Sequence, residues 1–174
     1  MKKMRMKNKI TLALQGLVAI FTLALIFSCG SGRNINADEN ENLQKLVQSR
    51  HFEIENDWAA PLRGSQINLI GNTNYIRFVN DSVMVYLPYF GVRYSGGGYN
   101  SEGGFKFEGI PENLQFGKDK KDNTVITFET DQGSENLDFR ITLYGNKNAV
   151  TNVNSSDRDA ISYRGDVHEW KEQE

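Results

Sequence analysis

A chain of 174 residues in which 39% are hydrophobic has material for one domain around a single core, not for two. The first nine residues hold five of the 20 basic side chains and none of the 22 acidic ones. The remainder carries 15 basic against 22 acidic groups, about seven charges negative, which excludes nucleic acid as a general partner. Cys29 is the single cysteine, so no internal disulfide can form. With His51 and His168 the only imidazoles, the usual donor set of a zinc site is missing, and no cofactor is expected.

Lys2, Lys3, Arg5, Lys7 and Lys9 precede a mostly apolar run over 10–27, the order of an export signal. That run reaches the lower limit for a permanent span, so its length does not decide. Its ending does. Ile26, Phe27, Ser28, Cys29 and Gly30 lead into a polar tract at 31–36. They resemble the lipobox of bacterial lipoproteins, which implies that residues 1–28 are removed and that Cys29 becomes an N-terminus carrying palmitate-type acyl chains. Several chains on one residue anchor essentially permanently, where one chain binds marginally. The expected arrangement is a flexible tether at 29–41 and a single all-β domain at 42–174. The expected place is the cell envelope, on the outer membrane facing the periplasm, with the membrane itself as partner through Cys29.

Leu43, Leu46 and Val47 have the spacing of one helical face, with acids at the start of the segment and Lys45 and Arg50 nearer its end, so one short helix is predicted over 38–49. From His51 the period changes to two. Phe52, Ile54, Asn56 and Trp58 alternate with Glu53, Glu55 and Asp57, which predicts a half-buried first strand. Further strands are predicted at 65–70, 74–79, 82–87, 105–108, 114–116, 124–130 and 136–144, separated by Gly, Asn and Asp turn chemistry. Leu137, Phe139, Ile141 and Leu143 mark the clearest core face. The tail from Ala149 reads as a polar middle at 152–159, then a last strand or docked segment through Ile161, Tyr163, Val167 and Trp170. About eight antiparallel strands need a barrel or a sandwich to remove their edges, and the pattern leaves both open.

Three phrases carry a family resemblance: Leu87-Pro88-Tyr89-Phe90-Gly91, Gly103-Gly104-Phe105-Lys106-Phe107-Glu108-Gly109, and Asp159-Ala160-Ile161-Ser162-Tyr163-Arg164-Gly165. With the Ser49-Arg50-His51-Phe52 opening, they are similar to the lipoprotein-borne domain of unknown function family 4251. The resemblance implies a lipocalin-like β-barrel and no assigned activity.

The densest aromatic stretch, 86–94, runs into the glycine-rich segment 95–104. Tyr86, Tyr89, Phe90, Arg93, Tyr94 and Tyr99 are the candidate ligand-binding residues, because rings beside a cation at a barrel mouth can stack on an apolar or amphipathic molecule. The competing reading buries these rings in the core. The glycines precede no helix pattern and no Lys-Ser or Lys-Thr, which excludes a phosphate loop. No catalytic motif joins either histidine to a nucleophile, and Glu53 and Glu55 lie opposite Phe52 and Ile54, on the solvent side. The expectation is a non-enzymatic, membrane-anchored lipoprotein holding a small apolar or amphipathic ligand in a barrel cavity. Its alternative is an envelope protein-interaction module without a cavity.

Overall fold

The computed structural model describes residues 37–95 and 103–172. The expected export signal, Cys29 and Tyr99 lie outside the described residues. Helix α1 covers Ala37–Ser49, so residues 37–41, expected at the end of the tether, form its first turn. Asp38 and Glu39 stand at the positive end of the helix dipole, while Leu43 and Val47, one turn apart, are buried against the sheet. Arg50 takes the left-handed conformation (φ 52°) that ends the helix and turns the chain into the first strand.

Ten strands follow: β1 His51–Pro61, β2 Ile67–Asn68, β3 Tyr75–Val79, β4 Ser82–Leu87, β5 Phe105–Gly109, β6 Glu112–Lys118, β7 Thr124–Gln132, β8 Glu135–Leu143, β9 Asn148–Ser155 and β10 Ile161–Glu169. All named pairings are antiparallel, in the order β5-β4-β3-β1-β10-β9-β8-β7-β6 with β2 also on β1. Strands β2 and β3 flank the same side of β1, β2 opposite Trp58 and Ala59 and β3 opposite residues from His51 to Ile54. They are two halves of one strand broken at 69–74. Similarly, β5 pairs with β4 and β6 with β7, with only Ile110 and Pro111 between them. That run changes partner at its break, where Gly109 (φ 150°) and Asn113 (φ 51°) take backbone conformations outside the strand range.

Counting each broken pair as one, eight strand positions alternate in direction around a meander that returns through the pairing of β10 with β1. The sheet is curled and barrel-like, as expected of the two architectures left open. At the β5 edge a side chain replaces the missing ladder: Gln132 accepts from the Lys106 N–H at 3.1 Å and donates to the Gly104 carbonyl at 3.3 Å.

Inward-facing phenylalanines fill the interior. Phe52 stacks on Phe78 and Phe128 on Phe139, each with ring centroids 4.6 Å apart, and edge contacts join Phe78 to Phe128 and Phe105 to Phe139. These five rings, with Tyr163, are at most 2% exposed. Rings from strands that are not neighbours thus meet edge to face, the favoured aromatic geometry, in the interior.

Two sequence expectations change. Trp58 does not share the inner face of Phe52, Ile54 and Asn56, because a bulge between Asn56 and Trp58 reverses the alternation; Trp58 is exposed and Ala59 buried. Opposite that bulge Gly165 packs against the β1 backbone so closely that a Cβ would lie 1.9 Å from the Glu55 carbonyl oxygen. The first half of the polar stretch at 152–159 belongs to strand β9, whose inward residues Ala149, Thr151 and Val153 are buried while Asn148, Asn152 and Asn154 are exposed.

Candidate functional site

Strand directions put α1 at one end of the barrel and the chain after β4 at the other. At that second end β4 stops at Leu87, and residues 88–94 cross as a strap whose ties are side chains. The Tyr163 hydroxyl donates to the Pro88 carbonyl at 2.6 Å, and burial pushes that phenol's pKa strongly upward, so it keeps its proton. The Tyr89 hydroxyl donates toward the carbonyls of Val92 (2.9 Å) and Asp159 (3.1 Å). Its pKa is likewise raised, first by burial and then by the Asp159 charge. Asp159 returns its N–H to the Val92 carbonyl, and Tyr94 bonds through its N–H to Asp157 and through its hydroxyl to the Asp159 carboxylate.

Under the strap lies a buried ion network. Arg158 holds Glu135 bidentately, Nε to Oε1 at 2.6 Å and Nη2 to Oε2 at 2.7 Å, and both side chains are almost wholly buried. Arg93 adds a third contact to Glu135 at 3.1 Å, and Ser155 donates its hydroxyl to the same carboxylate. Arg158 also reaches the Gly103 carbonyl at 3.0 Å and lies over the rings of Tyr89 and Phe105, at 4.9 and 4.5 Å from their centroids. Burial alone would raise the Glu135 pKa. The hydrogen bonds from Arg158 and Ser155 and the charges of the two arginines outweigh it, and the net shift is downward.

Beside this strap an open groove of about 670 Å³ runs where the broken strand leaves the end of β4, at Leu87, without a neighbour on the β3 side. One wall is Ile67, Asn68, Leu69, Asn72 and Thr73, from β2 and the break. The other is Tyr86, Leu87, Pro88 and Phe90, with Gly103, Gly104 and Lys106 completing it. A side chain on Gly104 would strike the Leu87 carbonyl at 2.5 Å, whereas Gly103 faces open space. The break is held by Asn74, whose Oδ1 accepts from the Asn56 N–H at 3.0 Å and whose Nδ2 donates to the Asn56 carbonyl at 2.9 Å. On the groove wall, Tyr86 also stacks on Tyr75 at 5.8 Å, and the Lys106 ammonium lies 5.1 Å from the Tyr86 ring centre.

The aromatic stretch therefore divides. Tyr86 and Phe90 line the groove. Tyr89, Arg93 and Tyr94 are brought together in the strap and ion network and do not line it. Sequence reasoning missed Glu135 and Arg158, which are 23 residues apart with no local spacing to link them, and Asn68, Asn72 and Thr73, read as strand and turn. Elsewhere, His168 stands 3.3 Å from Glu53, which also pairs with Arg77, on the outer face of the sheet. Among the described residues no cluster of three or more His, Cys, Asp or Glu is arranged to hold a metal ion.

The fold has a solved counterpart. A crystal structure of a DUF4251 family protein from Bacteroides eggerthii superposes with a TM-score of 0.57 at 18% sequence identity, covering 76% of this chain and 89% of that one. No curated protein matches the sequence. A family model described as "Domain of unknown function (DUF4251)" matches residues 35–167, the whole of the barrel as far as Val167 in its last strand. The chain belongs to this family.

Proposed function

We propose that this protein is a non-catalytic, lipid-anchored binding module of the cell envelope that holds a small amphipathic molecule in the groove between 67–73 and 86–90. The observation that carries the reading is the contrast between a barrel interior filled by rings and an external groove of about 670 Å³, a volume within the roughly 300–1,000 Å³ of small-molecule sites. The ligand position thus moves from the barrel cavity to its rim.

The alternative, an envelope protein-interaction module, draws support from the exposed side chains of Leu62 (64%) and Ile70 (67%). An extended peptide does not fit the groove as an added strand. The Leu69 N–H bonds the Asp57 carbonyl, so in the alternating ladder Asn68 is the residue of this wall whose backbone groups face away from β1. Across from it Pro88 has no N–H, and its carbonyl is taken by Tyr163. Side chains, not a backbone ladder, are what this site offers.

Gly103→Leu tests the proposal, since it fills the groove from a position that meets nothing within 4 Å. Native mass spectrometry of the full-length protein released from membranes should show a bound small molecule in the wild type and none in Gly103→Leu, with unchanged melting temperature. A wild-type protein that carries no adduct would count against the proposal.

A further inference from the structure

We infer that a second cleft, on the outer face of the sheet and sharing no lining residue with the groove, binds one ring of a neutral, polyhydroxylated molecule of the saccharide class. It encloses about 280 Å³ between Glu53 of β1, Arg77 of β3, and Glu169, Trp170 and Lys171 at the end of β10. That volume lies just under the roughly 300–1,000 Å³ of drug-sized sites, which limits the occupant to about one sugar ring. Arg77 is the prearranged part. Its Nε donates to Glu53, whose other oxygen stands 3.3 Å from His168 Nε2, and its guanidinium carbon lies 3.6 Å from the centre of the Tyr75 ring. These contacts orient the guanidinium and use one of its five N–H groups. The four on its two Nη atoms have no hydrogen-bond partner among the described residues, and the side chain is 27% exposed. Trp170 packs on His51 with ring centroids 5.0 Å apart, and its own ring centre is 5.7 Å from the guanidinium carbon.

The class of ligand follows from the groups the lining carries. Arg77 and Lys171 donate while Glu53 and Glu169 accept, so an ion of either sign meets a like charge within one small cleft. A neutral molecule meets none. Hydroxyls on adjacent carbons each donate and accept, and so can bridge a guanidinium and a carboxylate at once. The C–H face of a sugar ring carries no charge and suits the electron-rich face of an indole. A wholly apolar ligand would instead desolvate these charged groups without replacing their hydrogen bonds to water.

Saturation-transfer difference NMR on the full-length protein in nanodiscs, with empty nanodiscs subtracted, tests this with the methyl glycosides of glucose, galactose and mannose. At least one should bind with a dissociation constant on the order of 1 mM, as suits a single ring in an open site. Its uronate and its protonated 6-amino derivative should each bind about fivefold more weakly, the effect of a like charge about 4 Å away in water. Trp170 follows the last strand, so Trp170→Ala should abolish binding with the barrel's melting temperature unchanged. Arg77→Lys keeps a charge opposite Glu53 but loses the guanidinium fork, and should weaken binding about tenfold. Gly103→Leu, in the groove, should leave it unchanged. No saturation of any of the three glycosides, equal or tighter binding of a charged derivative, or binding retained in Trp170→Ala overturns the inference. Loss of binding in Gly103→Leu would place the sugar in the groove and overturn the second cleft.

Discussion

Asn74 stands in for a peptide group opposite Asn56. Where the broken strand leaves β1 without a partner, its side-chain amide accepts the Asn56 N–H and donates to the Asn56 carbonyl, as a facing residue in an intact ladder would. Asn74 is 3% exposed and Asn56 1%, so water does not compete for these bonds.

Asn74→Ala should therefore strand two buried backbone groups at about 1–3 kcal/mol each, for a total loss of about 2–6 kcal/mol. Asn74→Asp should lose nearly as much, because a carboxylate accepts but cannot donate to the Asn56 carbonyl. Urea denaturation measures both. A loss below about 1 kcal/mol in Asn74→Ala would show that the break holds without the amide.

The Glu135 network gives a pH prediction of definite sign. With a folded-state pKa below the unfolded value of about 4.3, Glu135 contributes stability that is fully present above that value and is lost as pH falls through the folded pKa. Between neutral pH and pH 5 its contribution should stay constant; below about pH 4 it should fade. Glu135→Gln should flatten this acid limb in melts taken across pH, and Glu135→Ala should cost about 3–5 kcal/mol by leaving Arg158 buried without its carboxylate.

Strand β8 should show two unequal faces. Phe139 and Ile141 are buried while Asp138 and Arg140 are exposed, so Phe139→Ala should cost about 3–5 kcal/mol and Ile141→Ala about 2–5 kcal/mol. Substitutions to Ala at Asp138 and Arg140 should stay within about 0.5 kcal/mol. Equal losses on the two faces, read from the same urea transitions, would contradict the register.

Lipid attachment is expected to depend on one atom, the Cys29 sulfur. Cys29→Ala should abolish incorporation of a labelled fatty acid and release the protein from the membrane fraction, with the thermal transition of the barrel unchanged. Label retained in that variant would refute the anchor.

What could be read from the residues follows the range of the forces involved. Strands β7 and β8 and helix α1 were legible because burial imprints itself locally, every second residue in Leu137, Phe139, Ile141 and Leu143 and every fourth in Leu43 and Val47. Strand β9 was obscured because its inward Ala149 and Thr151 are small or hydroxylated while the outward Val150 between them is apolar, which blurs the alternation. The bulge at Asp57 depends on the strand opposite, and no spacing within β1 announces it. For the site, the six candidates read from the sequence include Tyr86 and Phe90, which line the groove, and Tyr89, Arg93 and Tyr94, which do not. The groove itself arises from a gap between β2 and β4, and its shape follows from a pairing between residues 18 apart that one-dimensional patterning does not encode.

Gln132, described above as the substitute partner of Lys106 and Gly104, bears on how the protein behaves when crowded. An open sheet edge is a template on which a neighbouring copy can nucleate intermolecular strands, a hazard that rises with local concentration. By satisfying a backbone donor and acceptor at the end of β5, one glutamine amide removes a foothold for such growth, and replacing it with alanine would favour aggregation before it cost measurable folding stability.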